Sequence, residues 1–526
     1  MALPLFTRVA EDDGTFVVMA RRGREATTAG SPGPARPPSA SCSVDSTGRI
    51  PDRRPAPGEQ YRFHIDMDAC IGCKCCVVAC NEQNGNPAEI NWRRVSDLEG
   101  GRFPLAQRAH FSMGCNHCAD PTCLAGCPVD AYTKSPDTGI VHHSADTCIG
   151  CQYCTWTCSY GVPQFNPERG VVGKCDMCHG RLSQGQAPAC VSACPEGAIG
   201  IEIVNIAEWR AAAMDTTRRA GLPAADGSLS TTRLSLSARV PALTPSIDRI
   251  EPAEAHAPLV VMTVLTQMGA GAFVAILLPM FTGPRGSATT VAAIVATAIV
   301  FVGLAASTLH LGRPIHAYRA MKMWRRSWLS REVVLLGAFA HAAAAFSAAL
   351  WFNWPFAATL GVLTVVAGLA GVGASAFIYQ VPSRPLWHSP ATFVQFFMTA
   401  AWLGVLFACA TTVGESTTWR TATLTIALTQ LVATALIWRH VTRASSRELR
   451  GASLMLRTSL RRPAAARVIL LVLGALIPAL TAHPTAFAAA LVLAAAGELV
   501  GRYLFFVAAV PRHMTASYIG IDKEAA

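Results

Sequence analysis

Cys70-Ile-Gly-Cys73-Lys-Cys75-Cys76-Val-Val-Ala-Cys80 and Cys148-Ile-Gly-Cys151-Gln-Tyr-Cys154-Thr-Trp-Thr-Cys158 share one frame, C-x2-C-x2-C-x3-C, the first with an extra cysteine inside it. Two further runs accompany them. One holds Cys115, Cys118, Cys123 and Cys127 with Pro128 behind; the other holds Cys175, Cys178, Cys190 and Cys194 with Pro195 behind. Sixteen of the nineteen cysteines therefore fall in four tight groups. Thiolates at these spacings hold cubane iron–sulfur clusters, and the trailing Cys-Pro belongs to the bacterial ferredoxin signature. Four quartets provide for four clusters, a wire rather than a single redox centre.

Zinc usually takes two C-x2-C pairs across a spacer. Only the fourth run, with eleven residues between Cys178 and Cys190, fits that form. The first and third runs suit three corners of one cubane and one corner of its neighbour. A disulfide framework is disfavoured because C-x2-C runs without a secretory signal read as metal or redox sites. Cys42, Cys75 and Cys409 stand outside the frame, and Cys76 rather than Cys75 keeps it.

The 526-residue chain changes character near residue 257. Eighteen cysteines precede that point; Ala, Leu, Val and Phe dominate after it. Residues 1–58 are rich in Arg, Pro and Ser, a composition that predicts a disordered N-terminal tether. No apolar stretch follows Arg21-Arg22-Gly23-Arg24, so neither a Sec nor a twin-arginine signal is expected. The cluster domain is expected over 59–205. A helix near 206–219 and a Pro-rich linker should fill 206–257.

From Pro258 onward eight apolar segments each approach the roughly 20 residues needed to cross a bilayer. They run 258–281, 288–310, 333–354, 356–379, 391–412, 420–438, 467–482 and 485–507. An even number of spans puts both ends of the 258–510 domain on one side. The loops and tail of that side hold Arg313, Arg319, Lys322, Arg325, Arg326, Arg331, Arg384, Arg439, Arg443, Arg447, Arg450, Arg457, Arg461, Arg462, Arg467, Arg512 and Lys523. The opposite loops hold only Arg285 and Arg420. This asymmetry predicts a multi-pass protein of a bacterial plasma (inner) membrane, with the cluster domain and the 511–526 tail cytoplasmic. It also accounts for the net charge of +11 without nucleic acid, for which there is no basic face interleaved with aromatics.

Two sets of motifs carry a family resemblance. Cys115-Asn-His-Cys118-Ala-Asp-Pro-Thr-Cys123 to Cys127-Pro128, with the Cys148 run and Cys158-Ser-Tyr-Gly-Val-Pro163-Gln, resembles the four-cluster subunit of dimethyl sulfoxide reductase and related molybdoenzymes. Leu309-His310-Leu311-Gly312-Arg313-Pro314, Ser327-Trp328-Leu329-Ser330-Arg331-Glu332, Ser383-Arg384-Pro385-Leu386-Trp387 and Gly497-Glu498-Leu499-Val500-Gly501-Arg502-Tyr503 resemble the DmsC/NrfD-type anchor of the same complexes. The resemblance spans about 60–205 and 258–510, as a fusion of two subunits usually made separately. It implies an α+β ferredoxin-like cluster domain of tandem dicluster modules, followed by an all-α polytopic membrane domain. It also implies crossed ligation by four [4Fe–4S] clusters. Cys70, Cys73 and Cys76 would share one with Cys194; Cys175, Cys178 and Cys190 one with Cys80. Cys115, Cys118 and Cys123 would share a third with Cys158; Cys148, Cys151 and Cys154 the fourth with Cys127.

Redox centres in water and helices in lipid call for a lipid-soluble carrier, a quinone or quinol (menaquinone or ubiquinone). Ionisable groups within a membrane default to functional candidates. His310, Arg313, Glu332, Arg384, Glu498 and Arg502 should meet on the cluster side, with His388 in the same loop as Arg384. Snorkelling charges at Arg313 and Arg331, and an i, i+4 ion pair between Glu498 and Arg502, are the plain alternatives. His341 is a weaker candidate for a proton path. Gln267, Gln395 and Gln430 are expected as interhelical hydrogen bonds.

No catalytic constellation, pterin site or nucleotide loop is present in the sequence. With the resemblance, this implies a non-catalytic electron-transfer and anchor subunit, serving a separate molybdopterin catalytic subunit. Dimethyl sulfoxide reduction is the default substrate, and a sulfite:quinone oxidoreductase subunit fits the orientation equally. The alternative of another class is a redox-linked proton-translocating membrane protein.

Overall fold

The computed structural model describes residues 6–10, 16–20, 48–100, 107–212, 228–235, 244–245, 250–281, 287–411, 417–444, 446–481 and 483–512. Cys42, Arg285, Lys523 and most of the tail lie outside them, as does the part of the 206–219 helix beyond residue 212. Phe6–Ala10 and Phe16–Ala20 pair antiparallel as a unit of their own, regular structure that the composition of 1–58 did not announce.

Between the cysteine runs the polypeptide is too short for long elements, so it forms small sheets and single helical turns. Glu59–Asp66 pairs antiparallel with Ile199–Asn205, closing the cluster domain on itself, while Arg233–Ser235 adds a parallel edge. Arg94–Gly100 pairs with Gln107–Met113 and takes Thr244–Pro245 on its other side. Two hairpins, Tyr132–Lys134 with Val141–His143 and Gln164–Asn166 with Val171–Gly173, stand beside the second and third runs.

The segment expected as a free linker thus carries strands. Thr231 and Thr232 donate to the Asn116 carbonyl and side chain, and Tyr160 donates to the Ser228 carbonyl. The physical reason is sheet-edge satisfaction: the open backbone groups of Glu59–Asp66 and Arg94–Gly100 need partners, and this stretch supplies them. Residues just before Glu59 are likewise fastened, since Arg49 donates to the carbonyls of Val191 and Cys194.

Eight helices long and apolar enough to cross a membrane follow. They are α1 (Ala257–Leu277), α2 (Ser287–Thr308), α3 (Trp328–Trp351), α4 (Ala357–Ile378), α5 (Pro390–Ala410), α6 (Thr417–Arg443), α7 (Arg461–Leu480) and α8 (Pro484–Val507). The spans match the apolar pattern, with shifted ends. α2 stops at Thr308, so His310 lies beyond it; α3 begins at Trp328, so Glu332 lies inside it; α7 begins at Arg461, so Arg467 is buried within it. In each case packing against protein, rather than the lipid boundary, decides where polar residues can be helical. α1 is the most enclosed. Its Gly271 backbone meets Gly404 of α5 so closely that a Cβ at Gly271 would lie 1.8 Å from the Ala400 carbonyl oxygen.

The cluster domain docks on the ends of α2, α3 and α4. Gly312 N donates to the Gly150 carbonyl and Arg313 N to that of Ile149. A Cβ at Gly312 would sit 2.3 Å from the Gly170 carbonyl oxygen. Ser327 Oγ donates to the Gly126 carbonyl (2.6 Å), Ser330 Oγ to that of Pro128 and Tyr153 OH to that of Ile378; Ser383 donates to the Trp156 carbonyl. Arg326 pairs with Asp130 at 3.0 Å. Gly312→Ala should force these backbones apart. The expected loss is about 1–3 kcal/mol of stability, with faster amide exchange at Gly312 and Arg313, measured by hydrogen–deuterium exchange.

Candidate functional site

Each cysteine run contains backbone in the left-handed region: Lys74 (φ 63°), His117 (41°), Gln152 (58°), and Met177 with Cys178 (61° and 49°). Such turns curl a loop so that its N–H groups face inward. Gly150 N donates to Cys148 Sγ (3.4 Å), Met177 N to Cys175 Sγ (3.3 Å) and Ala131 N to Cys127 Sγ (3.3 Å).

The folding brings the thiols together in four crossed groups. Cys70, Cys73, Cys76 and Cys194 line one cavity, and Cys115, Cys118, Cys123 and Cys158 another. Cys80 lies among Cys175, Cys178 and Cys190, and Cys154 among Cys127, Cys148 and Cys151. Burial pushes the thiols of Cys151 and Cys190 up to about 12, and that of Cys80 higher still. Thiols so buried stay protonated unless a metal takes the proton's place. Among the described residues no three His, Cys, Asp or Glu side chains close on one ion position. The groups surround wider spaces, which fits a cluster of atoms. Cys75 is exposed and lines neither cavity, whereas Cys76 is buried with its sulfur 3.4 Å from Ser112 Oγ.

Beneath the membrane-side group lies an apolar cavity of about 320 Å3, within the range of small-molecule sites. Its wall runs from Cys151, Tyr153 and Trp156 to Glu332, Tyr379 and His310. The His310 ring is hydrogen-bonded to the Cys151 backbone and stacks over Trp156 at 6.3 Å. Burial pushes His310 down to about 4, so the ring is neutral at pH 7. His256 packs edge-on against it at 5.0 Å and is held down to about 3, mainly by burial. Among the side chains that line the cavity, His310 Nε2 and Glu332 Oε1 are buried without a hydrogen-bond partner, and His256 Nδ1 beside them is a third such atom.

The other expected residues lie elsewhere. Arg313 reaches the cluster domain, donating to the Ala145 carbonyl at 2.8 Å. Arg384 donates to the Ala509 carbonyl at 3.0 Å and lies over Trp387. Glu498 accepts from Thr399 of α5 and Gln430 of α6, while Arg502 donates to Gln267 of α1 and covers the Phe396 ring at 3.8 Å. Glu498 and Arg502 thus bind neighbouring helices instead of each other. One helical turn separates them, but each finds a better-placed partner across a helix contact. Gln267 and Gln430 make the interhelical bonds expected of them. His341 is exposed and bonds its own helix at the Gly337 carbonyl, so it joins no buried path.

Tyr153, Trp156, Tyr379 and His256 went unassigned in the sequence. The first two carried a signal, as aromatic residues set between cysteines of one run. Tyr379 and His256 carried none, because only the fold sets them beside the cavity.

Residues 106–203 match the 4Fe-4S dicluster domain family, and residues 253–507 the DMSO reductase anchor subunit (DmsC) family. The protein is 40% identical over 146 residues to the B polypeptide of anaerobic dimethyl sulfoxide reductase from Haemophilus influenzae, an overlap of 26% of this chain and 71% of that one. It is equally identical over 144 residues to YnfG of Escherichia coli, a probable anaerobic dimethyl sulfoxide reductase polypeptide, covering 26% and 70%. With the B polypeptide of sulfite dehydrogenase from Allochromatium vinosum it shares 36% over 160 residues, covering 26% and 67%. Cys75→Ser is expected to leave the iron content of the purified protein unchanged and Cys76→Ser to lower it, as read by colorimetric iron assay.

Proposed function

Since this protein belongs to the family of the dimethyl sulfoxide reductase B polypeptides and continues into the anchor of the same complexes, we propose that it passes electrons between a membrane quinone or quinol and a separate molybdopterin catalytic subunit. The supporting observation is the cavity shared by Cys151, His310 and Glu332. It is apolar enough for a quinone ring, carries two unpartnered polar atoms for its oxygens, and touches a ligand of the membrane-side quartet.

The four cysteine groups would hold four [4Fe–4S] clusters, which supply one-electron transfer. The protein's part is to fix the thiolates, exclude water and handle protons at the cavity. With its other nitrogen tied to the Cys151 backbone, His310 Nε2 accepts a hydrogen bond from a quinol hydroxyl. Glu332 Oε1 holds the second oxygen and exchanges its proton. Tyr153 OH, bound to the Ile378 carbonyl, fixes the wall between cavity and quartet.

The arginine asymmetry supports a cytoplasmic cluster domain. A catalytic partner that reduces dimethyl sulfoxide follows from the dimethyl sulfoxide reductase relatives. The likeness to the sulfite dehydrogenase B polypeptide favours a second reading, in which electrons run from sulfite to quinone. Proton pumping has less support. Among the described residues the buried charged side chains of the spans, Glu332, Arg467, Glu498 and Arg502, all stand in the half nearer the cluster domain.

His310→Ala and Glu332→Gln should each slow cluster reduction by a quinol analogue by about 10²-fold. The cluster signals in electron paramagnetic resonance should persist. A membrane tether without a quinone site would leave the rate unchanged in both variants.

A further inference from the structure

Two cations are buried inside the cluster domain without a salt bridge among the described residues. Arg93 is 1% exposed and Lys174 4% exposed, and neither forms an ion pair among the described residues. Arg93 lies among Cys76, Cys80, Cys175 and Cys190, thiols of two adjacent groups. Its Nη1 donates to Ser112 Oγ at 3.2 Å, and that oxygen is 3.4 Å from Cys76 Sγ. The guanidinium covers the Phe63 ring at 4.6 Å, and its Nη2 has no partner. Gly114 leaves it room, since a Cβ there would approach Nη2 to 3.2 Å. Lys174 lies among Cys115, Cys123 and Cys175, again thiols of two adjacent groups, and lines the cavity of the Cys115 quartet. Its ammonium is anchored on the carbonyls of Val141 and Cys175.

A buried cation is costly; the charges that compensate Arg93 are thiolates, and those that compensate Lys174 are mainly thiolates, with the Asp176 carboxylate adding a smaller share. The membrane-side group of Cys127, Cys148, Cys151 and Cys154 has no counterpart among the described residues. The cations docked on its loops, Arg313, Arg319 and Arg326, are partly solvated, so water and salt screen them.

We infer that Arg93 and Lys174 are fixed counter-charges that raise the reduction potentials of the three quartets they touch, leaving the membrane-side quartet outside their reach. They are positioning residues that ligate nothing. The inference rests on the four-cluster reading above. A thiolate-held cubane is anionic, and the electron that reduces it adds negative charge. A cation fixed in a low-dielectric interior therefore favours the reduced form. An electron arriving at the Cys151 group is drawn toward the other three, a bias that carries electrons away from the membrane.

The test uses the full chain in membranes, with iron analysis and redox titration followed by electron paramagnetic resonance. The unsubstituted protein is measured first. Fewer than four clusters there would overturn the four-cluster reading itself, before any variant is compared. Arg93→Gln and Lys174→Gln are then set against the charge-keeping Arg93→Lys and Lys174→Arg. The neutral variants should make one-electron reduction of the flanking clusters at least tenfold less favourable, a fall of about 59 mV, or lose those clusters. The membrane-side cluster should be unmoved, and the charge-keeping variants should retain iron and potentials. Neutral variants with wild-type iron and potentials would overturn the inference. So would charge-keeping variants as defective as the neutral ones, or a shift spread equally over all four clusters.

Discussion

The approach of Gly150 and Gly170 to Gly312 is the constraint on which the rest depends. Left-handed backbone at Gly150 and Gly170 turns their loops flat against the segment that leaves α2, with no side chain between. That contact seats the Cys148 run directly on the membrane domain. It thereby makes Cys151 a wall of the apolar cavity and brings His310 within hydrogen-bonding reach of the Cys151 backbone. Electron transfer weakens steeply with distance, so a methyl group here would act on function through geometry alone.

The same constraint explains the motifs of the membrane half. Their polar residues divide between two tasks. Gly312, Arg313, Ser327, Ser330 and Ser383 bind carbonyls or backbone of the cluster domain, while His310 and Glu332 face the cavity. Hydroxyls and glycines suit docking because they satisfy carbonyl groups at short range and cost little side-chain entropy. Several arginines that set the charge asymmetry also belong to this interface. Arg326 meets Asp130, and Arg319 meets the Asp146 carbonyl. A single set of charges thus serves insertion and docking.

Much of this was legible in the amino-acid order. Cysteine spacing announces its chemistry because ligation needs fixed intervals along a loop, and the spans announce themselves because lipid tolerates little else. The crossed grouping of thiols entered through a family likeness, and the folded loops bring the same residues together. The cavity was half legible. His310 and Glu332 stood out as polar residues in apolar surroundings, but so did Arg313, Arg384, Glu498 and Arg502, and linear position could not separate docking, bracing and lining. The strands of 228–245 were hidden because their reason lies in another segment's open edge. Arg93 and Lys174 drew no reading from the sequence, since nothing local signals burial beside sulfur.

Glu498 and Arg502 show how buried charges tie one helix to its neighbours. Together they reach α1, α5 and α6 from α8, and Arg467 of α7 lies against Gly501, where a Cβ would meet it at 2.6 Å. Lipid supplies no hydrophobic drive between helices, so polar bonds and close packing must hold the bundle. Arg502 covers Phe396, whose ring meets Tyr379 of the cavity wall, so the network braces the helices beside the cavity. Of the cavity's polar lining, Ser307 and Thr308 bond carbonyls of their own helix and Tyr153 bonds the Ile378 carbonyl, whereas His310 and Glu332 each keep a buried atom free of a partner. On the proposed reading, that separation would keep proton exchange beside Cys151.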